Sequence, residues 1–210
     1  MSKNVYFHWE IRDGPFIFDK NVKYVVYFKG CFSPPHLGHL NAIYDIVNDN
    51  PNVNVVINQI DSKERHGIHY WINRKIWHIY IDSIFPKDRV SIRKYKRTKE
   101  LFNHRFFINA DRVMMIRGNE NYDIDQTEKR FLSSYDCLIN ELSEKGVEID
   151  YYFQERSKDV LSATRFVEQL LNCKLNNGNT DNLKPFLPKD LSDNDYNKII
   201  NMLMSCYLII

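Results

Sequence analysis

Tyr24-Val25-Val26-Tyr27-Phe28-Lys29-Gly30-Cys31-Phe32-Ser33-Pro34-Pro35-His36-Leu37-Gly38-His39 is the stretch from which the architecture of the chain unfolds. Its first five side chains are β-branched or aromatic with no polar alternation, which predicts a strand buried on both faces. From Gly38 to Val47, the apolar residues Leu40, Ile43, Tyr44 and Val47 recur at the helical period. The stretch therefore reads strand, loop, helix. Gly30 lets the chain turn sharply off the strand end, and Pro34 and Pro35 stiffen the loop. His36 and His39 stand three residues apart where the helix begins, beside N–H groups that have no intrahelical acceptor. Gly38, between them, admits a ligand close to the backbone. Two imidazoles over the positive end of a helix make a phosphate-binding arrangement.

The alternation continues in both directions. Strands are expected at Val53 to Ile60, Val90 to Tyr95, Val113 to Ile116 and Val147 to Phe153. Helices are expected at Trp71 to Ile84, Thr127 to Glu144, Ser162 to Asn172 and Ser192 to Cys206, with a partly helical connector from Thr98 to Asn109. Upstream, Val5 to Ile11 and Phe16 to Phe18 flank Asp13-Gly14, a turn signal, so a small N-terminal hairpin is expected. Strands alternating with helices predict an α/β fold: a Rossmann-like, doubly wound parallel sheet of five strands, with a C-terminal helical extension. The expected organisation is an N-terminal extension at 1–21, a main domain at 22–175 and a C-terminal extension at 176–210.

Composition narrows the classes. With 210 residues, 43% hydrophobic and 27% charged, the chain is neither a disordered tail nor a coiled coil. No run approaches the ~20 apolar residues of a membrane span, so no membrane partner is expected. The 29 basic and 27 acidic residues leave a net charge of +2, which does not suggest a nucleic-acid binder. One basic run, Arg93 to Arg97 with Lys99, reads first as a solvated segment. Cys31, Cys137, Cys173 and Cys206 are widely spaced, without zinc-ligand spacing. Free thiols and the lack of a signal-peptide pattern give the expectation of a cytoplasmic protein. His66 and His69 have HxxH spacing but no third ligand nearby in sequence.

In open parallel sheets, ligands bind at the carboxyl ends of the strands, and there the Gly30 to His39 segment resembles a known signature. It matches the GxFxPxHxGH motif of the nucleotidylyltransferases, relatives of the class I aminoacyl-tRNA synthetases. Ser162-Ala163-Thr164, opening a helix after the fifth expected strand, looks like the S-x-T element of the family's second motif; Val167 stands where a cation is usual, and Arg165 follows Thr164 directly. Met115-Ile116-Arg117-Gly118 is similar to the element that ends a strand in phosphopantetheine adenylyltransferases. Lys63 lies where the family often has a substrate-phosphate lysine, and Arg74 where many members have an arginine.

The resemblance implies attack by a phosphate monoester on the α-phosphorus of a nucleoside triphosphate, with pyrophosphate leaving. On that reading His36, His39 and Lys63 are the catalytic candidates. Gly30, Phe32, Ser33, Gly38, His39, Arg117, Gly118, Ser162, Thr164 and Arg165 are the nucleotide-binding candidates, and Lys63 and Arg74 the substrate-phosphate candidates. Mg²⁺ is expected with ATP or another nucleoside triphosphate, held mainly by phosphates rather than by protein ligands. The first histidine of the motif favours nicotinamide mononucleotide or a cytidylyl acceptor, while Arg117-Gly118 and Lys63 favour phosphopantetheine. Adenylyl transfer to nicotinamide mononucleotide is placed ahead of phosphopantetheine. Cytidylyl transfer and a catalytically quiet nucleotide-binding module are the alternatives. The family is often oligomeric, and the apolar 202–210 end could pack on the body or on a partner.

Overall fold

The computed structural model describes residues 5–60, 65–94, 100, 104–119, 124–155, 162–176 and 179–208. Six strands, β1 Val5–Trp9, β2 Tyr24–Gly30, β3 Val53–Gln59, β4 Val90–Arg93, β5 Arg112–Asn119 and β6 Glu148–Glu155, form one sheet in the order β1-β6-β5-β2-β3-β4. Every pairing is parallel. The helices are α1 Glu10–Asp13, α2 Leu37–Asp49, α3 Tyr70–Ile84, α4 Arg105–Ile108, α5 Ile124–Ser134, α6 Asp136–Glu144, α7 Ala163–Leu175 and α8 Asp193–Met204.

The sheet has six strands where five were expected, and the N-terminal hairpin is replaced. Residues 5–9 extend the sheet as an edge strand beside β6, in the register Val5 to Ile149 through Trp9 to Phe153. The Asp13-Gly14 pair closes a helical turn, not a hairpin: Trp9 N donates to Asp13 Oδ2 at 2.9 Å and Gly14 N to Glu10 O at 2.9 Å. Phe16 and Phe18 form no strand; their rings meet His8 and Tyr24 edge-on at 4.8 and 5.0 Å. A local turn signal cannot tell these outcomes apart, because the partner of β1 lies about 140 residues further on.

Strand alternation divides the core in two. Val53, Val55 and Ile57 face α2, α3, α7 and α8, whose Leu40, Ile76, Phe166 and Leu203 are buried there. Val25, Tyr27 and Val56 face α4 and α6, with Phe106, Leu138 and Leu142. Helices thus cover both faces, which is why β2, β3 and β5 can be apolar on both sides. The helix expected from Thr127 to Glu144 breaks at Tyr135, which leaves the helical region at φ −121° and ψ 15°. Gly146, at φ +72°, ends the pair, with Val147 N reaching back to Leu142 O at 3.0 Å. Within the C-terminal extension a 3-10 turn spans Thr180–Phe186, and its Leu183 and Phe186 are buried. Of the apolar C-terminal residues, Cys206 and Leu208 are buried against the body while Tyr207 is exposed. No helix among the described residues is long and apolar enough to cross a membrane.

Candidate functional site

All strands being parallel, their carboxyl ends share one edge. From β2 the chain proceeds outward through β3 to β4, then returns to place β5 on the other flank of β2. The reversal point lies between β2 and β5, where open α/β sheets leave a crevice for ligands. The Gly30 to His39 segment leaves β2 there, and Arg117 and Gly118 lie in the last residues of β5, still paired with Phe153 and Gln154 of β6.

The loop is built from the inside. Gly30 is required by close approach: a Cβ on it would meet the Phe32 ring at 2.8 Å. Phe32 has φ +48°, a left-handed conformation rare for an aromatic residue, and its ring is buried. It lies tilted against Phe28 at 4.9 Å and edge-on to Trp77 and His39 at 5.3 and 5.1 Å. Ser33 is buried and its Oγ accepts from Asn73 Nδ2 at 3.1 Å. Pro35 O accepts from the Tyr80 hydroxyl at 3.2 Å, and burial pushes that phenol's pKa up. Two residues of α3, in no way suggested by the motif, therefore hold the loop. Their signal in the sequence is the stripe Asn73, Trp77, Tyr80 at helical spacing, with an amide in an otherwise apolar row.

His36 caps α2. Its Nδ1 accepts from Gly38 N at 3.1 Å, while His39 Nδ1 accepts from His36 N at 3.3 Å, a reciprocal capping box made of two imidazoles. The rings sit 3.9 Å apart between centroids. A neutral imidazole that accepts at Nδ1 carries its proton on Nε2, so each ring has an N–H donor on the side away from the backbone. The cap also engages the Gly38 N–H, and His39 N donates to His36 O at 2.8 Å. The expected phosphate donors of the helix end are thus partly exchanged for imidazole N–H groups. His36 is only 4% exposed, so its ring orientation is set by packing as well as by the cap.

The remaining candidates reach the same edge by other routes. Ser162 caps α7, its Oγ accepting from Arg165 N at 3.1 Å, and Thr164 and Arg165 are exposed on the first turn. Val167 is fully buried beside Phe166 and Leu170, so the side chain three positions after Thr164 faces the sheet. A cation there would enter the core, whereas Arg165 stands in solvent. Arg117 is exposed at the end of β5, and its charge lies close enough to Tyr135 to oppose the upward push of burial on that phenol. Arg74 is half-buried in the first turns of α3, one residue from Asn73. Lys63 lies outside the described residues, as do Lys96, Arg97 and Lys99 of the basic run. His66 and His69 flank the turn before α3, and no group of three potential metal-ligating side chains forms among the described residues.

Gln59 is a further polar residue at this edge. It ends β3 beside Gly30, is 1% exposed, and donates from Nε2 to Tyr70 O at 3.0 Å, tying the strand end to α3.

No family model matches the chain, and no curated protein is similar to it in sequence. Among solved structures, it is similar to the Plasmodium falciparum nicotinic acid mononucleotide adenylyltransferase complexed with NaAD. The match has 11% identity and a TM-score of 0.49, and covers 87% of this chain and 95% of that one. A likeness so remote says nothing of which residues react.

Proposed function

We propose that the chain is a nucleotidylyltransferase that transfers AMP from ATP to a phosphomonoester and releases pyrophosphate. Nicotinamide mononucleotide is the first acceptor to try and phosphopantetheine the second. The observation that supports this reading is the pair of imidazoles at the head of α2, their centroids 3.9 Å apart and their planes tilted by 37°, each accepting at Nδ1, which in the neutral ring puts the proton on Nε2.

The chemistry asks little covalent work of the protein. A phosphomonoester is already a nucleophile at neutral pH, so no serine or cysteine nucleophile is needed. The protein has to align the attacking oxygen with the α-phosphorus and stabilise charge as it builds. His36 and His39 would donate from Nε2 to phosphate oxygens. Preorganisation is the advantage here, since the capping box fixes both rings before a ligand arrives. Ser162, Thr164 and Arg165 would hold the β- and γ-phosphates at the start of α7. Lys63, Arg74 and Arg117 are candidates for the acceptor phosphate or the nucleotide, and Gly30, Phe32, Ser33, Gly38 and Gly118 shape the crevice. Mg²⁺ would neutralise phosphate charge when bound, and the phosphate oxygens and water would supply most of its ligands.

A second reading, a nucleotide-binding module without turnover, is favoured by one observation: position 167 faces the core and carries no charge. Mixing the protein with Mg²⁺ and ATP or CTP, each with nicotinamide mononucleotide, phosphopantetheine and other phosphomonoesters, and measuring pyrophosphate, decides between the two. Release with one pair names the reaction; nucleotide binding with no release from any pair supports the quiet module instead.

A further inference from the structure

The opposite edge of the sheet carries a second concavity, of about 640 Å³, lined by residues 20–25 before and within β2, 51, 52 and 54 around the start of β3, Asp88, and 105, 106, 109 and 110. These are the amino ends of β2 and β3 and the approaches to β4 and β5, so the seven residues of β2 separate the concavity from the His36–His39 pair by about 20 Å. The volume lies within the ~300–1,000 Å³ typical of small-molecule sites.

Its lining has two unlike parts. One wall is apolar, with Val25, Phe106 and Ala110 all buried. The Arg105 guanidinium lies over the Phe106 ring, 5.0 Å from its centroid, and pairs with Asp88 at 3.0 Å. Asp88 itself has φ +63°, a strained conformation for a residue with a side chain. The other part is polar. Lys20 and Lys23 are exposed, and neither ammonium group is ion-paired with a described residue. Asn54 is half-buried between Val53 and Val55 on β3, and its amide makes no hydrogen bond to a described residue. The nearby carboxylates Asp19 and Asp111 lie outside the lining and accept backbone N–H groups, from Asn21 at 2.9 Å and Lys23 at 2.8 Å.

We propose that this concavity is a second ligand site, distinct from the one at the carboxyl edge, and that it takes a small anion with a flat ring, of the aryl-phosphate class. The ring would lie along the Phe106 and Ala110 wall. The anionic group would meet Lys20 and Lys23, and Asn54 would donate its amide N–H to the same group's oxygens. Three cations against one carboxylate in the lining set the sign of the ligand's charge. The apolar wall is what a bare inorganic ion would leave uncovered.

Phenyl phosphate is the probe, titrated calorimetrically into the full chain while lysine acetylation by an N-hydroxysuccinimide ester is followed by mass spectrometry. Saturable binding is expected. It should slow acetylation of Lys20 and Lys23 but not of the exposed Lys129 and Lys189. Charge reversal at both lysines, K20E with K23E, should weaken binding by about tenfold or more. Both side chains are exposed, so the variant keeps its fold, checked by its thermal unfolding. Asn54→Asp, which sets a like charge beside the ligand, should weaken binding as well. Absence of saturable binding overturns the proposal, as does unchanged affinity in the charge-reversed variant or equal protection of all four lysines.

Discussion

His36 has an observed structural role and a proposed catalytic one, and a substitution can separate them. Its Nδ1 caps α2, and on the proposed reading its Nε2 would donate to a phosphate oxygen. His36→Ala removes both, and losing the cap costs about 1 kcal/mol. His36→Asn keeps a side-chain acceptor for the cap but removes the imidazole donor. The expected outcome is near wild-type thermal unfolding for the Asn variant, with kcat for pyrophosphate release down about 10²-fold in both. Wild-type turnover in His36→Asn would remove the imidazole from the mechanism. Val167 gives the complementary prediction. Because it is fully buried, Val167→Lys should lower stability by about 3 kcal/mol or more in urea unfolding, without lowering the KM for ATP. A stable variant with tighter nucleotide binding would show that position 167 can reach the phosphates.

Elements are tied down by buried polar groups at the other end of the sheet. Asp150 of β6 is fully buried and accepts from Arg112 of β5 at 2.9 Å and from His8 of β1 at 3.2 Å. Burial pushes the Asp150 carboxyl up, and the Arg112 and His8 charges oppose it. Three strands thus converge on one carboxylate. Asp150→Ala would leave the Arg112 guanidinium with Glu148 as its remaining carboxylate partner among the described residues, and should cost about 3 kcal/mol by denaturant unfolding. His104 does similar work for α4: its Nδ1 accepts from Phe106 N at 3.2 Å, and its Nε2 lies 3.3 Å from Ser91 Oγ. Desolvation first, then the Arg93 and Arg105 charges, lower its pKa from 6.5 to about 4. The unfolded chain therefore binds this proton at a higher pH than the folded one. The contribution of His104 to stability is complete above pH ~6.5 and is lost as pH falls through about 4. His104→Asn, which can keep the cap, should flatten the fall of the urea midpoint between pH 7 and 5 relative to wild type.

Across the whole molecule, the C-terminal segment ties the end of α7 to the turn before α3. Lys174 Nζ, late in α7, donates to Cys206 O at 2.6 Å, and the next residues cross the turn before α3. Gly67 in that turn has φ +70°, and a Cβ there would run into the Tyr207 carbonyl. Gly67→Ala is therefore excluded both by conformation and by space, and should lower the thermal midpoint and raise cleavage near Tyr207 in limited proteolysis. An unchanged proteolytic pattern would mean that the C-terminal segment does not rest on this turn.

Sequence alone determined the strand–loop–helix unit around Gly30 to His39 and the order of the strands after it. Both depend on interactions within about ten residues: apolar periodicity, caps, and glycine or proline at turns. Local pattern also placed the Ser162 cap, which the structure has with Arg165 N as its donor. Tertiary structure alone decided the sixth strand, since the pairing of Val5–Trp9 with Glu148–Glu155 is a contact between residues far apart in the chain. Tertiary structure also recruited Asn73 and Tyr80 to the loop and turned Val167 inward. Each depends on which face of a helix meets the sheet, and that is fixed only when the two apolar cores close around the strands.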